Sequence, residues 1–367
     1  MPHTALHERV AELVQRQLLP LVEDIDRKGL YPKEFMHALG GIGGYASLGT
    51  AEEGGSDSGL FAQIGVIREI GKVCGSTAFS VWCQSACAWY LHKTPNTAVK
   101  RYLPDILSGK TLAGTGMSNT VKHLAGIEEH LLQAEKTEGG YIVNGLLPWV
   151  SNLGDDHVWA NTAQIGNSYV MFVTGGGREG VELVPTPEFC ALEGTRTFAV
   201  KLNNVFVPDE DVLAHPEQFA DYIKSIKAGF ILLQIGIGAG IIDGCIQDIA
   251  LADVGCETNC FLENGKAELS KRLERSWLQT GQLAEAAWSG EANMLETLQL
   301  RLAASELSLT AAQSAVLHAG AKGYLLSSPV QRRQREAAFV AIVTPSVKHL
   351  RREISELEFM SEGEFSI

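Results

Sequence analysis

The hydrophobic period changes twice along the chain, and this change limits the possible folds more than any other feature. Apolar residues recur at helical spacing between Thr4 and Leu107. From Thr111 to about Ala214, short alternating runs are separated by Gly, Asn and Asp turns, which is typical of strands. Helical spacing returns from Gln218 onward. The order helix, strand, helix predicts a β module that lies between two helical modules in sequence.

The last part of the chain predicts four long helices with short connections, at roughly 219–253, 264–288, 291–319 and 329–358. Such a pattern favours an antiparallel four-helix bundle. The predicted fold class is therefore α+β, mainly α, with an N-terminal helical domain (1–111), a middle β-barrel or sandwich domain (112–216) and a C-terminal helical bundle (217–367). A ligand site shared by all three would lie at their junction, since ligand clefts favour domain interfaces.

Composition excludes several classes of partner. The chain has 43 acidic and 30 basic residues and a formal charge of -13, which disfavours nucleic acid and anionic membrane surfaces. Its most apolar stretch, Phe230 to Ile242, is interrupted by Gln234 and three glycines, so we expect no membrane span. Seven cysteines without an export signal predict reduced thiols in the cytoplasm, and their spacing predicts no metal site.

Several short motifs occur in a fixed order along the whole chain. The most specific is a predicted hairpin, in which Gly140 to Gly145 (G-Y-I-V-N-G) is followed by Trp149 to Asn152 (W-V-S-N). The others are Tyr31 to Phe35, Glu52 to Gly55, Gly75 to Phe79, Asn204 to Leu213, Gly320 to Tyr324 and Arg335 to Ala337. In this order the motifs resemble those of the acyl-CoA dehydrogenase family.

This resemblance implies a flavoprotein of the same three-part fold that binds FAD and oxidises an acyl-CoA-like substrate, usually as a homodimer or homotetramer. It places Trp149, Val150 and Ser151 along the isoalloxazine ring, with Ser151 near the flavin N5 edge. It also places Met117 and Ser118 at the pyrimidine edge and Ser346 in contact with the cofactor. Contacts of this kind tune flavin chemistry.

The family's usual catalytic glutamate is absent from this sequence. Its position falls on Thr344, whose hydroxyl cannot serve as the base that removes an α-proton. The stretch Ile223 to Phe230, where some members carry the base instead, contains no acid. The family's R-x-x-F-G element has no counterpart between Cys256 and Lys271, its glutamine is Leu317, and its P-x-A-G-S-D segment is not reproduced by Thr120 to Gly126. The catalytic residue is therefore unknown at this stage.

Three hypotheses remain open from the sequence. The chain is a dehydrogenase with an unusual base, a flavin-dependent monooxygenase on the same scaffold, or a degenerate, non-catalytic binding or assembly subunit. A monooxygenase would use a histidine or arginine near the flavin, and the candidates are His123, His318 and His349. Arginine forks match phosphate oxygens, so a basic run could bind nucleotide phosphates. Its members are Arg332, Arg333, Arg335, Arg351 and Arg352, and Arg335 is the best candidate.

Overall fold

A computed structural model describes residues 2–364, with side chains described for residues 5–359. Met1 and residues 365–367, at the ends of the first and third predicted domains, lie outside the described residues. The predicted order of a helical part, a sheet and a second helical part is confirmed, and the domain boundaries themselves stay a prediction. The helices of the first part are α1 (Pro2–Leu13), α2 (Val22–Lys28), α3 (Lys33–Gly41), α4 (Gly59–Gly71), α5 (Gly75–Lys93) and α6 (Leu103–Leu107).

Helix α5 is the central helix of the first part. Every residue from Gly75 to Leu91 is buried, because α5 packs against helices on one side and against the start of the sheet on the other. A helix that is buried all round carries no polar face. Most of its polar side chains are therefore bonded inside the protein. Gln84, for example, donates to the carbonyl of Ile106 at 3.0 Å and accepts from the backbone N–H of Ala113.

The middle part forms one mixed eight-stranded sheet. The strands are β1 (Ala113–Thr115), β2 (Leu132–Thr137), β3 (Gly140–Val150), β4 (Val158–Ile165), β5 (Ser168–Gly175), β6 (Val181–Pro185), β7 (Phe198–Pro208) and β8 (Val212–Ala214). The hydrogen-bonded order is β6-β7-β3-β2-β4-β5-β8, and β1 pairs with β4 in parallel. A short helix, α7 (Ser118–Leu124), follows β1 and was not predicted, because seven residues are too few to establish a helical period.

The last part contains five helices among the described residues: α8 (Phe219–Ala252), α9 (Lys266–Ser289), α10 (Met294–Ala319), α11 (Pro329–Ile342) and α12 (Val347–Glu364). The prediction of a single helix over 329–358 is wrong. The chain leaves the helix at Val343, two residues before Pro345, and starts again at Val347. A proline removes a backbone donor and disfavours helix in the residue before it, which explains the break.

Helix α8 is the core of the bundle. It is long and apolar enough to cross a membrane by length and composition alone, but 89% of its most apolar window is buried inside the protein. Glycines on one face allow close contact with α4. A Cβ atom on Gly240 would lie 2.3 Å from the carbonyl oxygen of Arg68, so that position has no room for a side chain.

The three parts share one continuous apolar core, which runs from α1 through α5 and α8 to one face of the sheet. A second, smaller core lies within the sheet itself. Polar contacts also join the parts. The Tyr31 hydroxyl donates to Asn152 at 2.6 Å, and the Trp89 indole donates to the carbonyl of Ile226 at 3.0 Å. The first helices, the sheet and α8 are thereby fixed against one another, and the cleft described next lies between them.

Candidate active site

A cavity of about 290 Å³ lies where α5, α7, α8 and α12 meet. All three parts of the chain contribute to its wall. Its apolar lining comes from Tyr90, Met117, Val121, Leu124, Ala125, Ile223, Ile226 and Phe230, and its charged or titratable lining from Lys224, Lys227, His349, Glu353 and Glu356. The cavity therefore has an apolar side and a charged side, a combination suited to a small ligand that carries both kinds of group.

The apolar side is rigid because its aromatic residues are bonded behind the surface. The Tyr90 hydroxyl lies 3.1 Å from the Thr115 hydroxyl, and the carbonyl of Tyr90 accepts from the Tyr222 hydroxyl at 2.7 Å. Phe230 packs against Trp82 with ring centroids 5.2 Å apart. These contacts fix the wall without placing a free polar group in it.

The charged side is built from α8 and α12. Lys227 on α8 forms an ion pair with Oε1 of Glu353 on α12. His349, one helical turn before Glu353, places its Nε2 atom 3.6 Å from Oε2 of Glu353. Burial lowers the pKa of His349, so its imidazole is neutral at neutral pH. The side of the cavity thus holds one carboxylate between an ammonium group and a neutral imidazole.

The predicted hairpin lies at the end of β3. Trp149 is 62% exposed and meets the Phe189 ring at right angles, at 6.1 Å between centroids. Val150 is buried in the core of the sheet, so only its backbone can reach a ligand. The Ser151 hydroxyl lies 2.6 Å from the Thr197 hydroxyl. This segment therefore offers one exposed aromatic face beside a pair of hydroxyl groups.

Met117 and Ser118 are close to this hairpin because β1 runs beside it. Thr115 forms an isolated antiparallel bridge with Ser151. A Cβ atom on Gly114 would lie 2.5 Å from the Ser151 carbonyl oxygen, so glycine is what allows the two segments to approach. The chain then passes through Met117, which lines the cavity, to Ser118 at the start of α7.

Thr344 and Ser346 lie in the loop between α11 and α12. The Thr344 hydroxyl is 2.8 Å from the Ser118 hydroxyl, which links this loop to the segment after β1. The carbonyl of Thr344 accepts from Gln234 at 2.9 Å. Ser346 accepts a backbone hydrogen bond from Leu350 at 2.8 Å and so begins α12. Of the six predicted cofactor residues, Met117 lines the cavity and Ser118 is one hydrogen bond from this loop; the cofactor roles of all six stay predictions.

A buried arginine supports the same loop. Arg301 is 1% exposed and donates to Gln234 at 3.0 Å and to the carbonyl of Val340 at 2.9 Å. Burial lowers its pKa to about 10, so it stays charged at neutral pH. It has no carboxylate partner among the described residues. Its charge lies instead at the C-terminal end of α11, where a helix dipole is negative.

The three candidate histidines have separate positions. His349 lines the cavity. His123 is bonded to the carbonyl of Glu128 at 2.9 Å and to the Tyr169 hydroxyl at 2.7 Å. His318 lies 2.7 Å from Asp253 at the end of the bundle. The geometry therefore retains His349 as a candidate for chemistry and gives the other two local structural contacts.

The five arginines of the basic run are all engaged by carboxylates. Arg335 binds Asp26 at 2.6 Å and also donates to the carbonyl of Cys190 at 2.8 Å. The remaining ion pairs are Arg332 with Glu336, Arg333 with Asp248, Arg351 with Glu306 and Arg352 with Glu356. The structure thus assigns these arginines to internal contacts, and Arg335 joins α11 to α2.

The sequence did not predict the charged pair of the cavity. The search for an acid covered residues 223–230 of α8, which contribute Lys227, whereas the carboxylate comes from α12, 126 residues further along the chain. The only local signal was the spacing of His349 and Glu353, which puts them on one face of a helix.

Comparison with known proteins agrees with the fold and the motifs. Residues 2–110 match the family model described as acyl-CoA dehydrogenase, N-terminal domain. Mitochondrial isovaleryl-CoA dehydrogenase of Pongo abelii is 25% identical over 360 residues, which cover 92% of this chain and 84% of that protein.

Solved structures share the whole architecture. Butyryl-CoA dehydrogenase from Megasphaera elsdenii superimposes with a TM-score of 0.87 at 18% identity, over 97% of this chain and 98% of that one. A glutaryl-CoA dehydrogenase from Mycobacterium smegmatis in complex with FADH2 gives 0.83 at 15% identity, over 97% and 94%. The fold is therefore that of the acyl-CoA dehydrogenases, and residues 2–110 match the N-terminal domain of that family.

Proposed function

We propose that the protein is an FAD-dependent oxidoreductase that oxidises an acyl-CoA-like thioester between its α and β carbons. One observation carries this proposal. The segment with the exposed Trp149 pairs with the end of β1 through Ser151 and Thr115, and Met117, two residues further along the chain, lines a cavity with an apolar wall. The relatives reported above are dehydrogenases of acyl-CoA thioesters by name, which favours this reaction over monooxygenation and over a non-catalytic role.

The residues present fit the ring end of FAD. A flat heteroaromatic ring needs an uncovered aromatic or apolar face and hydroxyl or backbone donors at its polar edge. Trp149 supplies an exposed face, and Ser151 and Thr197 supply hydroxyls beside it. When bound, FAD supplies the hydride acceptor. The protein holds the substrate against this face, and its apolar wall excludes water from the reacting carbons.

The oxidoreductase proposal predicts that the purified protein binds FAD and that an acyl-CoA bleaches the flavin in the absence of oxygen. The measurement is the visible spectrum after FAD addition and gel filtration, followed by anaerobic titration with short acyl-CoAs. Trp149→Ala is expected to lose retention of FAD at least tenfold, whereas Phe206→Ala, an exposed aromatic elsewhere on the sheet, is expected to retain it.

The alternatives give different results in the same experiment. A flavin-dependent monooxygenase would leave the flavin oxidised with acyl-CoA and would consume oxygen only with a flavin reductase. A binding or assembly subunit would retain no FAD at any concentration. Either result would contradict the dehydrogenase proposal.

We also propose that the protein is a homodimer or homotetramer in the cytoplasm. An apolar patch at the end of the bundle supports self-association: the 251–261 segment adjoins the end of α10 through Asn259, which donates to the carbonyl of His318 at 3.1 Å. The exposed apolar residues there are Leu251, Val254, Phe261, Leu317, Tyr324, Leu325 and Leu326. Light scattering with Phe261→Asp tests the assembly, since a monomeric wild type would contradict it.

A further inference from the structure

The carboxylates that line the cavity both come from α12. Glu356 is exposed at the edge and is bonded to Arg352 at 2.7 Å. Glu353 is more enclosed, with 18% of its side chain exposed. A base that acts on a carbon acid must lie inside the cavity and within reach of the substrate. Glu353 is the cavity carboxylate that meets the first of these conditions.

The two oxygens of Glu353 have different surroundings. Oε1 is bonded by Lys227. Oε2 lies 3.6 Å from Nε2 of His349, beyond hydrogen-bond distance, and accepts no hydrogen bond from a described residue. Oε2 is therefore available to accept a proton, while Oε1 is held in position by the ammonium group of Lys227.

We propose that Glu353 removes the α-proton of the thioester, in place of the glutamate that Thr344 replaces; this role rests on the proposed function. The α-proton passes to Oε2, and the electron pair of the broken C–H bond becomes the new Cα–Cβ π bond. FAD, when bound, would accept the β-hydrogen with its electron pair and so supply the two-electron oxidation. The products would be the α,β-unsaturated thioester, the reduced flavin and protonated Glu353.

Lys227 holds Oε1 of Glu353 in place and is a positioning residue. The other charged and titratable groups around Glu353 are Lys224 on α8 and His349, Arg352 and Glu356 on α12. Arg352 is bonded to Glu356, and His349 lies beyond hydrogen-bond distance of Glu353. Removal of Lys227 is therefore the clearest way to release Glu353 from its position.

The test compares Glu353→Gln with wild type, using anaerobic stopped-flow reduction of the flavin by an acyl-CoA that reduces wild type. We expect Glu353→Gln to slow reduction by about 10²- to 10⁴-fold, the usual contribution of a general base. Binding of the same acyl-CoA to the flavin-free protein, measured by calorimetry, should change less than threefold. The matched control is Glu358→Gln on the same helix, which is bonded by Gln299 at 3.0 Å and lies outside the cavity.

A second readout follows the proton alone. In D₂O, wild type should exchange the α-hydrogen of the bound thioester for deuterium, and Glu353→Gln should not. Lys227→Met should lower the rate of flavin reduction at saturating acyl-CoA by about tenfold or more and leave the dissociation constant of the acyl-CoA within threefold, because Oε1 of Glu353 then lacks the group that holds the carboxylate in position. An ion pair that is merely structural predicts no such split between rate and binding.

The outcomes separate the two proposals. If no acyl-CoA reduces wild type, both the proposed function and the role of Glu353 are wrong. If wild type is reduced and Glu353→Gln reacts within tenfold of it, only the role of Glu353 is wrong. An unchanged rate of flavin reduction in Lys227→Met would overturn the positioning role of Lys227, since the carboxylate would then act without it.

Discussion

Replacement of Gly240 by alanine tests whether backbone contact between α8 and α4 holds the bundle to the first helices. A Cβ atom at this position would lie 2.3 Å from the carbonyl oxygen of Arg68 and 2.7 Å from the Cα atom of Gly71. Both neighbours are backbone atoms, so no side chain can rotate away. The helices would have to separate by roughly 1 Å to restore ordinary contact.

The expected cost follows from that overlap. Overpacking of a well-packed core costs about 1–3 kcal/mol, and the better helix propensity of alanine offsets about 1 kcal/mol of it. Gly238 on the same helix provides the matched control, because its Cβ would lie 3.4 Å from Val340 and 3.7 Å from the carbonyl of Ala304, which are ordinary contacts. Gly238→Ala should therefore stabilise the protein by about 0.5–1 kcal/mol.

The assay is urea unfolding followed by far-UV circular dichroism and by tryptophan fluorescence. Gly240→Ala should unfold at a lower urea concentration than wild type, with a free energy of unfolding lower by up to about 2 kcal/mol. Gly238→Ala should unfold at the same concentration or a higher one. Two variants that raise the midpoint by similar amounts would refute the reasoning, since helix propensity alone would then explain both.

Three further predictions concern ion pairing, pH and the loop at the site. Arg335→Gln should lower the free energy of unfolding by about 1–3 kcal/mol, because it leaves the buried Asp26 carboxylate unpaired, and Asp26→Asn in the same background should recover part of that loss in thermal denaturation. Burial lowers the pKa of His130 to about 4, so between pH 6.5 and 4 the unfolded chain binds a proton at this residue and the folded protein does not. The free energy of unfolding therefore falls as the pH falls through this range. His130→Gln should reduce that fall, relative to wild type, by an amount on the order of 2–3 kcal/mol. Ser118→Ala removes the 2.8 Å contact with Thr344 and should cost about 0.5–1.5 kcal/mol, and unchanged hydrogen exchange in the loop would contradict it.

The fold was predictable because each part of the chain keeps one hydrophobic period over many residues. Helix α8 was expected over 219–253 and covers Phe219–Ala252. The errors occur where the signal is short or interrupted. Helix α7 has seven residues, and the break between α11 and α12 depends on Pro345 within an otherwise periodic stretch. In both places local chain geometry outweighs the average pattern of the window.

The site was predictable only where it depends on contiguous residues. The W-V-S-N segment was recognisable because its residues are neighbours in the sequence. The contact between Lys227 and Glu353 joins two helices, and it depends on how α8 and α12 pack. No spacing rule connects residues that far apart. The same is true of Gln234, which reaches the carbonyl of Thr344 from a position 110 residues away.

The absence of a glutamate at position 344 fits the structure of its loop. Thr344 is 9% exposed, its hydroxyl meets Ser118, and its carbonyl is held by Gln234, which Arg301 orients from behind. A carboxylate at position 344 would be buried away from water, and no cation would compensate its charge. Arg301 cannot do so because it is directed toward Gln234 and the end of α11. The loop thus serves to join the sheet segment to the bundle. In α12, by contrast, Lys227 compensates a carboxylate at the cavity surface, so this scaffold can place a base there without burying an unpaired charge.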